Sequence, residues 1–153
     1  MRFFIALLAL LAWNGEKIFR SDAEWRELLG RERYHVMRKK GSERAFLGRY
    51  VFTRSPGVYL CAACDLPLFL SEDKYDSGSG WPSFKKAAAP KHVYYLEDWS
   101  LSFKRYEVLC SRCDSHLGHV FNDGPPPKGL RFCINSITLF LKGGAHAAEK
   151  RIQ

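Results

Sequence analysis

No stretch of this chain stays apolar for the roughly 18 residues that a confident membrane span requires, which excludes a multi-spanning protein. Acidic charge is in short supply: 16 Asp and Glu stand against 24 Lys and Arg, for a net charge of +8. That balance suits acidic partners such as nucleic acid or anionic lipid, yet no basic strip interleaved with stacking aromatics appears. Strand-like and helical stretches never alternate in a βαβ rhythm, which argues for antiparallel rather than parallel sheets. Internal repeats are missing apart from two Cys pairs. Cysteine is scarce and odd in number, at five, so disulfides alone cannot use all of it. The rest is ordinary for a folded domain: 153 residues, 46% of them hydrophobic, a length that fits one domain.

Met1-Arg2 precedes 11 apolar residues, Phe3 to Trp13. This resembles the n- and h-regions of a signal peptide and is too short to span a bilayer without flanking residues. Residues 1–13 are expected to direct export to the periplasm or to tether the chain to a membrane. A cytoplasmic chain with a core-docking N-terminal segment is the alternative. Residues 14–48 read as a helical preface. Ser21-Asp-Ala-Glu24 is a capping box ahead of Trp25, Leu28 and Leu29. Gly30 can end that helix, and Arg31 to Lys40 forms a second candidate closed by Gly41. His35 has no partner at ligand spacing and reads as structural.

From residue 49 to 142 the texture is that of a β domain. The predicted strands include Val58–Leu60, His92–Leu96, Leu101–Phe103, Tyr106–Leu109 and Ile134–Leu141. Ser55-Pro-Gly57, Glu97-Asp98 and Gly124-Pro-Pro-Pro127 read as turns or loops. Residues 143–153, with His146, read as a frayed polar tail.

Cys61-Ala-Ala-Cys64 and Cys110-Ser-Arg-Cys113 are two C-x-x-C pairs separated by 46 positions. Each pair can wrap a knuckle, and two knuckles complete a tetrahedral four-sulfur site. Soft thiolates without added carboxylate favour zinc or iron, and a site closed by four protein ligands is structural. A redox dithiol or two disulfides are the alternatives, though neither pair opens a convincing helix.

Cys133 sits in Arg131-Phe-Cys-Ile-Asn-Ser136, which reads as a strand. Alternation puts Arg131, Cys133 and Asn135 on one side and Phe132 and Ile134 on the other. A guanidinium beside the thiol favours thiolate, and an amide beside it can hold an oxygen. A small buried core cysteine is the plainer reading. His116 and His119 lie three apart just after the second Cys pair. Four cysteines saturate a tetrahedral ion, so acid–base work suits these imidazoles better than ligation. Gly78-Ser-Gly80-Trp81-Pro82 is a loop whose indole could wall an apolar pocket.

Together these pieces resemble the methionine-R-sulfoxide reductases, from about Ser21 to Leu141. The resemblance is carried by Tyr75-Asp-Ser-Gly-Ser-Gly-Trp-Pro-Ser-Phe84, both Cys pairs, His116-Leu-Gly-His-Val-Phe-Asn-Asp-Gly-Pro125 and Arg131–Ser136. It implies a mainly β fold of two packed antiparallel sheets (a β-tent) with short N-terminal helices and a zinc ion held by Cys61, Cys64, Cys110 and Cys113. It makes Cys133 the nucleophile and His119 the proton donor, assisted by His116. Arg131 and Asn135 would shape the site, and Asp123 would orient a histidine. Trp81 would pack on the substrate's ε-methyl group, with Phe121 as a further wall. The implied substrates are oxidised proteins or peptides.

Many relatives carry a resolving cysteine where this chain has Ser79, so a sulfenic acid on Cys133 is expected to be reduced by a thioredoxin-like or small-thiol donor. A monomer is expected. The competing reading is a zinc-fastened β module that binds nucleic acid or protein.

Overall fold

A computed structural model describes residues 11–143. Most of the signal-like segment and of the C-terminal tail, His146 included, lies outside the described residues.

Helix α1 spans Asp22–Lys39 and opens on the expected capping box: the Ser21 hydroxyl accepts from the Glu24 N–H, and the Glu24 carboxylate from the Ser21 N–H. Gly30 breaks it with φ +71 and ψ 172, so two helical pieces meet at a kink. The left-handed residue at the C-terminal end is Lys40 rather than Gly41. Trp25, Leu29, Tyr34, Val36 and Met37 are the buried side of α1.

Among the described residues nine strands follow: β1 Val58–Cys61, β2 Pro67–Leu70, β3 Lys74–Tyr75, β4 Ser83–Phe84, β5 Val93–Asp98, β6 Arg105–Cys110, β7 His116–Phe121, β8 Arg131–Ile134 and β9 Leu139–Lys142. They form a three-stranded sheet ordered β2-β1-β9 and a six-stranded sheet ordered β3-β4-β8-β7-β6-β5. Every pairing is antiparallel. The core lies between the sheets. Phe69 stacks on Phe84 at 4.4 Å, and Tyr59 and Phe132 close on the same pair from either side.

Two expected strands and one expected turn are corrected. Leu101–Phe103 is a bend in the β5–β6 connection, its side chains exposed. Glu97 and Asp98 are the end of β5 rather than a turn. The run from Ile134 to Leu141 is interrupted by a 3-10 turn, Ser136–Thr138. There the Ser136 hydroxyl accepts from the Tyr50 N–H, the Ser136 N–H donates to the Glu43 carboxylate, and Arg33 Nε donates to the Ile137 carbonyl at 3.0 Å. These side-chain bonds replace a ladder and turn the chain from one sheet into the other.

Trp13 sets its ring edge-on to His92 at 6.0 Å, and its carbonyl accepts from Lys91 Nζ at 2.7 Å. The end of the apolar segment is therefore docked on the β domain. No helix among the described residues is long and apolar enough to cross a membrane.

Candidate active site

Cys133 is the third residue of β8. Its core-side neighbours Phe132 and Ile134 are buried at 2% and 0% exposure, which fixes the strand, while Cys133 is half-buried on the other face. Directly opposite stand Ser83 on β4 and His119 on β7. Opposed residues on an antiparallel pair lie on one face with Cβ atoms about 5 Å apart. Thiol and imidazole are thus neighbours by register.

In a regular strand, His116 and His119 would face opposite sides, because three positions is an odd step. A bulge resolves this. Val108 opposes Gly118, but Leu109 opposes His116, so Leu117 is an extra residue in β7. Leu117 turns its side chain into the core, fully buried. The two imidazoles then meet at 5.6 Å between ring centroids.

Asn135 clamps the bulge. Its backbone N–H and its side-chain Nδ2 both donate to the Leu117 carbonyl, at 2.9 and 3.1 Å. Its Oδ1 accepts from the Glu43 N–H at 3.0 Å. Asn135 lies beyond the end of β8 and is buried, so its amide holds the scaffold rather than standing free beside the thiol. Gly118 is required nearby: a Cβ there would run into the Cys133 carbonyl oxygen.

Each histidine has its own carboxylate. His116 Nδ1 lies 2.6 Å from Glu107 Oε2, and His119 Nε2 lies 2.7 Å from Asp98 Oδ2. Burial works to raise Glu107, but its bond to His116 and the Lys40 ammonium at 3.2 Å outweigh this and hold it below the ordinary range. The Ser100 hydroxyl and N–H, with His119, hold Asp98 well below the carboxylate range. Both carboxylates are ionised and can only accept. The protons therefore sit on His116 Nδ1 and His119 Nε2, which leaves Nδ1 of a neutral His119 as a base. Burial pushes His119 below its ordinary value, against the pull of Asp98. Arg105, on Asp98 at 3.0 Å, pushes the same way as burial.

Asp123 does not orient a histidine. It holds Arg131 through two bonds, Nε at 2.8 Å and Nη2 at 3.1 Å. Arg131 in turn stacks on the Phe121 ring at 4.4 Å. Asp98 and Glu107 are the carboxylates the sequence reading lacked. Asp98 lies at the end of β5, where the sequence predicts a turn. The signal for Glu107 was an acid inside the apolar run Tyr106–Leu109, a position that needs a buried partner.

Burial pushes the Cys133 thiol above its ordinary pKa, and the Arg131 charge and hydrogen bonds from Ser79 and Arg131 only partly offset this. The resting sulfur is thus a thiol, not the thiolate that Arg131 alone suggested. A cleft of about 560 Å³ is lined by Tyr75, Ser77, Ser79, Asp123 and Arg131 among others, so Ser79 and Arg131, not the sulfur itself, form its wall on the Cys133 side. Trp81 precedes Ser83 by two residues, its Nε1 donating to the Glu43 carbonyl at 3.2 Å. Gly80 before it has φ +91 and packs on Ala45 and Phe46, leaving no room for a side chain.

The other four cysteines gather elsewhere, their sulfurs all within 4.8 Å of one another. Cys61 to Cys113 is 3.7 Å and Cys64 to Cys110 is 3.5 Å. A tetrahedron with metal–sulfur bonds of about 2.3 Å has edges of about 3.8 Å, so the set fits one zinc-sized ion. Two like-folded knuckles deliver it. Asp65 and Asp114 take φ +67 and +60, and each donates its N–H to the first cysteine of its knuckle at 2.9 Å. Neither pair starts a helix, which disfavours the redox reading.

The SelR domain family model matches residues 29–143. Peptide methionine sulfoxide reductase MsrB of Azotobacter vinelandii is 55% identical over 127 residues, covering 83% of this chain and 96% of its own length. MsrB of Methanosarcina mazei is 51% identical over 123 residues, covering 80% and 88%. MsrB of Pseudomonas fluorescens is 52% identical over 126 residues, covering 82% and 97%. The matched span takes in the bulged histidine strand, Cys133 and all four clustered cysteines. By the breadth and identity of these matches, the chain belongs to the MsrB family of peptide methionine sulfoxide reductases, which are oxidoreductases.

Proposed function

We propose that the chain reduces the R epimer of methionine sulfoxide in oxidised proteins and peptides, with Cys133 as nucleophile. The observation that carries this reading is the register of β7 on β8, which sets His119 directly opposite Cys133. The chemistry balances as follows. The Cys133 proton passes to Nδ1 of His119, giving an imidazolium that the Asp98 carboxylate supports. The thiolate attacks the sulfoxide sulfur while the imidazolium protonates its oxygen, making that sulfur electrophilic. The hydroxyl then passes from the methionine sulfur to the Cys133 sulfur as the transient S–S bond breaks, its electron pair returning to methionine, so methionine leaves and Cys133 becomes a sulfenic acid. Trp81 and Phe121 supply an apolar wall for the methyl group, and the Arg131 guanidinium faces the polar S=O.

Recycling then uses two thiols from outside: Cys133–SOH and two R–SH yield Cys133–SH, a disulfide and water. Ser79 stands hydrogen-bonded at Cys133 where a resolving thiol would sit, and the remaining four cysteines form the metal-fitting cluster. A thioredoxin-like protein or a small thiol therefore serves as reductant. Zinc is the ion proposed for the cluster, in a purely structural role. Residues 1–13 are proposed to export or tether the chain, and export would leave the Trp13 dock intact if cleavage followed Ala12.

The test is turnover of resolved R and S epimers of peptide-bound methionine sulfoxide with a small dithiol. The R epimer should be consumed and the S epimer spared. Equal turnover of both, or turnover by Cys133→Ser, would contradict the proposal.

A further inference from the structure

Among the described residues, eleven large apolar side chains are exposed, and six of them fall between Tyr95 and Tyr106. The β5–β6 connection presents Trp99, Leu101 and Phe103 at 65%, 48% and 56% exposure, with Leu96 and Tyr106 on the strands below. A clustered apolar patch of this kind marks an interaction surface. Its base is the reaction site itself, because Asp98, the residue before Trp99, holds His119.

We infer that this hairpin tip is a docking surface for apolar polypeptide flanking the reacting methionine. The inference rests on the reductase reading above and names the substrate segments that site prefers. Charge argues for polypeptide over an anionic lipid surface. The tip's two cations are engaged within it, Lys104 with Glu97 at 3.4 Å and Arg105 with Asp98 at 3.0 Å. Lys104 also lies over the Trp99 and Tyr106 rings. Locally neutral and apolar, the tip matches the stretches in which methionine is normally buried and which its oxidation exposes. Three strand spacings of about 4.8 Å separate β8 from β5, some 14 Å, a span that four or five residues of extended chain cover. The tip therefore contacts residues that far from the methionine, and a single amino acid cannot reach it.

The experiment compares three R-sulfoxide substrates: N-acetylmethionine sulfoxide, and two dodecapeptides carrying Leu and Phe, or Ser and Gly, four to six residues from the sulfoxide. The unmodified protein should prefer the apolar peptide over the polar one by about tenfold in kcat/KM, through KM. The triple variant Trp99→Ser, Leu101→Ser, Phe103→Ser should lose that preference and keep its rate on N-acetylmethionine sulfoxide. Equal rates on the two peptides for the unmodified protein, or an equal loss on all three substrates in the variant, overturns the inference. So does cosedimentation with phosphatidylglycerol vesicles that the triple variant abolishes, which would assign the tip to a membrane. If no substrate turns over, the reductase reading fails first; apolar-peptide binding, followed by tryptophan fluorescence, then decides the docking surface alone, and its absence overturns that too.

Discussion

The resting state of Cys133 sets the demands on its neighbours. A sulfur that burial keeps protonated cannot attack until a base takes its proton. In the proposed mechanism His119, directly opposite Cys133, does that task and, once charged, returns the proton to the substrate oxygen. His119→Ala should lower kcat by about 10²–10⁴-fold, read in steady-state turnover with a dithiol, and Cys133→Ser should be inactive. The pH profile gives the sign. A neutral His119 is needed to take the Cys133 proton, so the rate should rise as pH rises through the His119 pKa, which lies below the ordinary histidine value, and fall only as Cys133 itself ionises, above the ordinary thiol value. Asp98→Asn removes the group that raises that pKa, so the rising limb should move to lower pH. A shift to higher pH would contradict Asp98 as the positioning carboxylate. Asp123→Asn, acting through Arg131, should leave this limb in place.

At the scale of elements, one inserted residue in β7 does most of the arranging. The strand that carries Cys133 was legible in the sequence: alternation in Arg131–Ile134 puts Cys133 opposite the core residues, and the structure agrees. The facing of His116 and His119 was not legible, because a bulge leaves no mark in hydrophobic alternation and depends on how β6 pairs with β7. Asn135 misled for a related reason. Strand alternation put it beside Cys133, but β8 ends at Ile134 and the amide is spent on Leu117. Leu101–Phe103 looked like a strand by composition, yet it is a connection that buries nothing. Asn135→Ala should cost about 1–2 kcal/mol in denaturant unfolding, since the Glu43 N–H loses its acceptor, with a larger loss in kcat than in substrate affinity. Gly118→Ala should cost about 2 kcal/mol by forcing β7 off β8. Full activity in Gly118→Ala would show that the close approach is dispensable.

Across the whole molecule, the four-sulfur cluster and the reaction site are connected through the sheets. Cys61 ends β1 in the small sheet, and Cys110 ends β6 in the large one, so an ion held between them would fasten the two sheets together. Arg38 of α1 donates to the Cys113 carbonyl at 2.7 Å, drawing the helix onto the same point. The second knuckle leads within three residues to His116, so its fixation sets where β7 begins. The C-x-x-C spacing made this cluster readable from sequence, because the ligand geometry is local to each knuckle. That the cluster draws its cysteines from two sheets depends on the topology and was not. Bound zinc contributes on the order of 10 kcal/mol in small zinc domains, comparable to a whole domain's stability. Chelation under denaturing conditions should release one zinc per chain and prevent refolding until zinc returns, with unfolding followed by circular dichroism. Retention of the native melting temperature by a zinc-free chain would refute the structural role.

The most direct measurement is a single turnover without reductant. Excess R-sulfoxide peptide is mixed with the holoprotein, and released methionine is counted against the sulfenic acid trapped on Cys133. The account predicts one methionine per chain, the trap on Cys133 alone, and no disulfide in non-reducing peptide maps. A disulfide joining Cys133 to any cluster cysteine, or methionine released with Cys133 unmodified, would contradict it.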